Sequence, residues 1–203
     1  MIAGIVLAAG RSRRMGEPKP LLRWRGEPFL DRVVGALRDG GCDPVLVVVA
    51  PPASDPAAAR IAEAARGAGA EVVVNPVPDA EQVDSLRAGL AALPPAAEAA
   101  IVAPADVPGI DAAAVRALAG AFRARGAPVV RATHGGLHGH PVLFARRVFP
   151  ELFAEPLPEG ARGVVHAHAR EVEEVEVPSP GVLLDVDTPA DYRRLLEGDD
   201  APG

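Results

Sequence analysis

Short apolar runs that do not alternate with polar residues punctuate the chain: Ile5-Val6-Leu7, Val45 to Val49, Val72-Val73-Val74 and Ala100 to Ala103. Successive strand residues point to opposite faces, so a run that is apolar throughout predicts a strand covered on both sides, as at the centre of a parallel sheet. The stretches between these runs have helical spacing. Pro28 to Arg38 puts Phe29, Leu30, Val33, Val34 and Leu37 on one face and stops at Gly40-Gly41. Asp55-Pro56 sets an N-cap before a proline at the first helical position and opens an alanine-rich helix to Arg66. A further helix is expected from Ala80 to Leu93, closed by Pro94-Pro95. After it, Asp111 reads as an N-cap with Ile110 and Val115 as a hydrophobic staple, and Val115, Leu118, Ala119 and Phe122 face the core. Pro128 to Ala132 reads as a fifth strand, and Glu171 to Val177, alternating acid with valine, as an exposed edge strand. Thr188, Pro189 and Asp191 suit the N-cap, N1 and N3 positions of a closing helix. Strand and helix alternating over crossings of a dozen residues or more predict one α/β domain. It is expected to be a Rossmann-like three-layer sandwich on a mostly parallel, doubly wound sheet.

Composition adds bounds to this picture. With 203 residues, 49% of them hydrophobic, the chain is long enough to bury a core, and we expect one domain over 1–197 with a frayed tail over 198–203. A net charge of -6 argues against nonspecific nucleic-acid binding, which needs a basic stripe. The apolar run Ile2 to Ala9 has no basic region before it and is too short to span a bilayer, so no membrane association and a cytoplasmic location are expected. The single Cys42 has no partner for an internal disulfide and reads as a buried structural thiol.

Cationic residues gather between Arg11 and Arg25, directly after the first strand. A glycine-containing loop at the carboxyl edge of a central strand, with Arg11, Arg13, Arg14 and Lys19 around it, suits a polyanion such as a nucleoside triphosphate. It is not a Walker A loop, because five residues separate Gly10 from Gly16 and Glu17 follows. Nor is it a dinucleotide fingerprint, because Ser12 stands at the second glycine position. That absence weighs against an NAD oxidoreductase. Another chemical candidate is Asp106, in Pro104-Ala105-Asp106-Val107-Pro108, just past the fourth strand. It lies at the same sheet edge as the loop, where a carboxylate is a candidate metal ligand.

The string Leu7-Ala8-Ala9-Gly10-Arg11-Ser12-Arg13-Arg14-Met15-Gly16-Glu17-Pro18-Lys19 resembles the signature of the molybdopterin nucleotidyltransferases, in particular the molybdenum-cofactor cytidylyltransferase type. The resemblance implies that Arg14 and Lys19 hold the triphosphate as catalytic residues, and that Leu7, Ala8, Ala9, Gly10 and Ser12 line the nucleotide. It extends to Ser85-Leu86-Arg87-Ala88-Gly89-Leu90, where Ser85 is expected at the nucleoside; without the resemblance, Ser85 reads equally well as a solvent-exposed helix position. Asp106 and Asp187, the latter in Asp185-Val186-Asp187-Thr188-Pro189, are implied ligands of a catalytic Mg2+. Gly139-His140-Pro141 and Gly160-Ala161-Arg162 match segments that face the pterin, which assigns His140 and Arg162 to the substrate. At that end the chain departs from the family pattern, with His138 where an arginine is usual, while Pro158-Glu159 precedes the glycine turn.

The resemblance implies transfer of CMP from CTP to molybdopterin, with pyrophosphate leaving and a molybdoenzyme as possible recipient. Ala9 and the acids at 185 and 187 favour CTP, because the guanylyl members typically have a glycine and asparagines there. GTP is the alternative donor, and another small phosphate the alternative acceptor. A noncatalytic cofactor-delivery module is the rival of a different class. The histidines fall in two windows, His134, His138 and His140, then His166 and His168. His166 and His168 would point about 200° apart on a helix, and neither window has a cysteine or carboxylate at ligand spacing, so a zinc site is not favoured. Arg11 and Arg13 receive no role.

Overall fold

The computed structural model describes residues 1–10, 16–78 and 80–199. Its strands are β1 (Ile2–Leu7), β2 (Arg23–Trp24), β3 (Glu27–Pro28), β4 (Val45–Val49), β5 (Glu71–Val74), β6 (Ala99–Pro104), β7 (Val129–His134), β8 (Leu137–Ala145) and β9 (Glu173–Glu176). The helices are α1 (Phe29–Asp39), α2 (Ala58–Gly67), α3 (Gln82–Ala91), α4 (Ala112–Arg125), α5 (Phe149–Phe153), α6 (Ala161–Ala167) and α7 (Pro189–Asp199). One sheet runs β5-β4-β1-β6-β8-β7-β9, and β2 and β3 form a separate hairpin. Every pairing in the large sheet is parallel except the two made by β8. This is the expected doubly wound α/β arrangement. Among the described residues, no helix is long and apolar enough to cross a membrane.

The unbroken apolar runs of the central strands are explained by two cores, whereas the run Val72-Val73-Val74 lies in the edge strand β5 and leaves Val74 exposed. Along β4, Val47 and Val49 pack with the residues of α1, α2 and α4, whereas Leu46 and Val48 pack with those of α3, α5 and α6. Each strand therefore feeds both layers. Burying a Val or Leu side chain stabilises the fold by about 1.5–3 kcal/mol, so neither face tolerates a polar position in these strands.

The helix boundaries follow from local chemistry. Asp111 caps α4, its carboxylate accepting from the Ala114 N–H at 2.8 Å. At the end of α1, Gly41 takes φ 92°, and the Cys42 and Gly41 N–H groups donate to Leu37 O and Arg38 O, closing a Schellman turn. The helix expected from Ala80 begins instead at Gln82, because Glu81 and Asp84 form a capping box there. Asp55 does act as a cap, but for the Ala57 N–H, and regular helix starts at Ala58. Cys42 is buried, and burial pushes its thiol up to about 12, so it is an inert core residue.

Strand β8 is the main departure from the expected pattern. The strand expected to end at Ala132 continues to His134, turns through Gly135 and Gly136 at positive φ, and returns as β8. Its first half, Leu137-His138-Gly139-His140, has no alternating apolar signal, and a register shift between Arg131 and Thr133 breaks its pairing. Because β8 runs antiparallel to β6, with Val102 opposite Val142, its opening residues lie at the carboxyl edge of β6.

A third, smaller cluster joins the two ends of the chain. Leu22, Trp24 and Phe29 pack with Val186 and Leu195, and the Tyr192 hydroxyl donates to Arg23 O at 2.7 Å. Nearby, the backbones of Gly109 and Gly181 touch: a Cβ on Gly109 would lie 2.6 Å from the Gly181 Cα. This contact holds the segment leading to Asp185 against the loop that follows Asp106. Gly181→Ala is expected to destabilise the protein by about 1–3 kcal/mol through overpacking. Urea unfolding measures it; an unchanged midpoint would show that the two backbones are not so close.

Candidate active site

Residues from three distant parts of the chain converge at the carboxyl edge of β1 and β6. Lys19 opens a short 3-10 turn between Pro18 and Pro20. Its Nζ donates to Asp106 Oδ2 at 3.0 Å and to Asp187 Oδ1 at 2.7 Å. Asp106 follows β6, and its backbone carbonyl accepts from the Val186 N–H at 3.1 Å, tying the loop after β6 to the Asp185–Asp187 segment. The chain then enters α7 through a capping box, in which the Thr188 N–H donates to Asp191 Oδ2 and the Asp191 N–H to Thr188 Oγ1.

Asp185 completes the acidic set. Ligand atoms of Asp106, Asp185 and Asp187 lie within 4.8 Å of one another. Burial, together with the charges of Asp106 and Asp187, pushes the Asp185 carboxyl up to about 6. Burial alone would lower the pKa of Lys19, but its hydrogen bond to Asp187 and the charge of Asp106 outweigh that and hold it above its ordinary value. Three carboxylates around one ammonium form an excess of hard oxygen donors, a set suited to a divalent cation such as Mg2+ or Mn2+. The sequence carried a signal for Asp185 in the spacing of Asp185 and Asp187, since residues two apart in extended chain point to one side.

The other residues singled out in the sequence take distinct places. Leu7, Ala8 and Ala9 leave β1 beside this edge, with the Ala8 N–H donating to Val48 O and Leu7 O accepting from the Ala105 N–H. Gly10 is exposed, and among the described residues beyond its chain neighbours no atom lies within 4 Å of where its Cβ would be. Ser12 and Arg14, like Arg11 and Arg13, lie outside the described residues. Ser85 is buried in α3, where its hydroxyl accepts from the buried Asn75 Nδ2 at 3.0 Å, which corrects the solvent-exposed alternative. Asn75 in turn accepts from the Val77 N–H and so fixes the loop after β5.

His140 and Arg162 line a cleft of about 1070 Å³ that extends from Leu7 and Pro104 across the sheet, between α3 and α6. Burial lowers the pKa of His140 against the opposing charge of Asp106, and its Nδ1 has no hydrogen-bond partner among the described residues. Arg162 is exposed at the first turn of α6. The remaining histidines are engaged separately. His166 pairs with Glu159, His168 bridges Glu151 and Glu171, and His134 Nδ1 meets Val177 O.

A doubly wound sheet that gathers the Lys19 ammonium and three carboxylates at its carboxyl edge, beside this cleft, has the layout of the α/β domains that bind nucleotides where their strands end. Comparison with known proteins narrows this class: residues 4–172 match the MobA-like NTP transferase domain, and the chain belongs to that family. A probable molybdenum cofactor guanylyltransferase of Mycobacterium avium is 32% identical over 97% of this chain and 95% of its own. Another of that name, from Bacillus cytotoxicus, is 50% identical, but the match spans only 23% of each chain. The crystal structure of Rv0371c from Mycobacterium tuberculosis H37Rv superposes with a TM-score of 0.77 at 33% identity, covering 97% of both chains. Its complex with manganese gives 0.74 at 33% identity, over 97% of this chain and 98% of that one.

The acidic set has a pH signature. The folded pKa of Asp185, about 6, is above its ordinary value of 3.8, so the folded state binds the extra proton between those values and loses stability as pH rises through them. Asp185→Asn removes that loss. In metal-free protein the variant should be more stable than the parent above pH about 6, with the difference vanishing below pH about 4. Thermal denaturation across this range tests it, and a pH-independent difference would contradict the mutual repulsion.

Proposed function

We propose that this protein is a divalent-metal-dependent nucleotidyltransferase that moves a nucleoside monophosphate from a triphosphate to the phosphate of a molybdopterin-type acceptor. The observation that carries the reading is Lys19, held by Asp106 and Asp187 at the end of the Leu7–Lys19 loop. In the reaction a phosphate oxygen of the acceptor bonds to the α-phosphorus, the bond from that phosphorus to the bridging oxygen breaks, and pyrophosphate leaves. Such transfers depend on positioning and charge neutralisation. A cation bound to Asp106, Asp185 and Asp187 would act as a Lewis acid on the phosphate oxygens. Mg2+ suits these oxygen donors, and the manganese complex of the 33% identical relative supports a divalent ion in this fold.

The chain's own residues supply the remainder. Lys19 offers an ammonium to the triphosphate oxygens, and Arg14 is assigned to the triphosphate by its place in the loop motif. Leu7, Ala8, Ala9, Gly10 and Ser12 are assigned to the nucleotide by the same motif. Asn75 holds Ser85 in α3, next to the nucleoside end. His140 and Arg162, which both line the cleft, are assigned to the acceptor, and a molybdoenzyme is the proposed recipient of the product.

The donor base has support in two directions. Names of the full-length relatives favour GTP. The motif resemblance favours CTP instead, because the guanylyl members typically have a glycine at the position of Ala9 and asparagines at those of Asp185 and Asp187. Parallel turnover of GTP, CTP and ATP with molybdopterin decides between them, and the preferred triphosphate should exceed the others by tenfold or more in kcat/KM, about 1.4 kcal/mol. Pyrophosphate release tests the reaction itself. Lys19→Met is expected to lower kcat by about 100-fold or more, as loss of one preorganised cationic donor does, and Asp106→Asn to abolish metal-dependent turnover. Parent-like rates in both folded variants would refute the assignment, and triphosphate binding without pyrophosphate release would identify a noncatalytic carrier.

A further inference from the structure

The far end of the cleft holds a polar set that the chemistry at Lys19 does not use. Arg131 on β7, His138 on β8 and Glu174 on β9 all line it. Arg131 Nη2 donates to Glu174 Oε1 at 2.6 Å. The same nitrogen lies 2.9 Å from His138 Nε2, which is 3.1 Å from that carboxylate oxygen. The hydrogen bond from Arg131 holds the Glu174 carboxyl below its ordinary range, so it is an acceptor at neutral pH. Arg131 Nε is buried and has no hydrogen-bond partner among the described residues, and His140 Nδ1 is in the same condition between this set and Asp106. Buried polar atoms are nearly always bonded. Two unpartnered ones, on residues that line one cleft, point to a polar ligand lying along its floor.

The shape of that ligand follows from the strand order. Three strand steps separate β6 from β9. At roughly 4.8 Å each they amount to about 14 Å. A molecule with one end at Asp106 therefore reaches Arg131 and Glu174 only if it is long, and Val142 and Phe144 between them favour a flat ring system. We propose that Arg131 and Glu174 read the aminopyrimidinone edge of the acceptor's heterocycle, an inference that rests on the assignment of this cleft to the acceptor. The amino group and adjacent ring N–H of a pterin are neighbouring donors, matched by the two oxygens of Glu174. The neighbouring ring carbonyl is an acceptor, matched by the guanidinium of Arg131. His138 braces the pair from β8. The acceptor's phosphate is thereby directed to the carboxylate edge, and a phosphate compound without such an edge is excluded from productive binding.

A purely structural ion pair between β7 and β9 would be indifferent to the ring's amino group. The test is fluorescence titration of the full chain with pterin and with lumazine, which carries a carbonyl in place of that amino group. The parent is expected to bind pterin about tenfold or more tightly than lumazine, the scale of one charge-assisted hydrogen bond. Glu174→Gln should bring the ratio close to one, and Arg131→Met should weaken both ligands, each with parent-like circular dichroism. Glu173→Gln, on the other face of β9 and paired with Arg125, should keep the parent ratio. A parent that does not discriminate, or a Glu174→Gln protein that still does, overturns the inference. Pterin discrimination without pyrophosphate release from molybdopterin and a triphosphate would refute the transfer reaction alone, and transfer without discrimination would refute this subsite alone.

Discussion

The two ion pairs of Lys19 are the constraint on which the site depends. They join a loop near the amino terminus to the end of a central strand and to the entry of the last helix, 87 and 168 residues away. Three carboxylates drawn together without a cation would repel one another, and burial together with that repulsion raises the pKa of Asp185. Lys19 offsets that repulsion and leaves the group with surplus negative charge. The same cluster is therefore stable enough to assemble and still electrostatically suited to a divalent ion. Its geometry is maintained by uncharged contacts: the Gly109–Gly181 approach, the Asp106–Val186 backbone hydrogen bond and the Trp24–Phe29 cluster against α7.

The antiparallel strand β8 has a second, distinct effect. In a wholly parallel sheet only strand ends would reach the carboxyl edge, yet β8 begins there, so His138 and His140 lie beside the end of β6. Its pairing with β7 sets Arg131 opposite Val142, and β9 adds Glu174 at the margin. The cleft thus has an electrostatic end and a hydrogen-bonding end, separated by Val142 and Phe144. This polarity fits an elongated acceptor with a phosphate at one end and a heterocycle at the other.

Much of the fold was legible because burial on both faces leaves a direct trace in sequence. Val45 to Val49 can be apolar throughout only between two helical layers, and Asp111 and Thr188 announce helix starts by chemistry that acts within a few residues. β8 was not legible, because Gly135, Gly136 and the histidines around them have neither alternation nor strand propensity and are ordered by pairing with β6 and β7. Ser85 was ambiguous for a related reason. Nothing near it in sequence indicates that Asn75, from the loop after β5, covers it and bonds to its hydroxyl.

By itself the amino-acid sequence determined the α/β alternation, the cationic loop after the first strand and the presence of single acids at Asp106 and Asp187, all of which rest on local pattern. Tertiary structure alone decided that these acids share one ammonium and that Arg131, His138 and Glu174 line the same cleft. Those relations depend on strand order and on backbone approach between distant glycines. A linear pattern encodes which faces must be buried, but distances between remote side chains arise only when the layers pack.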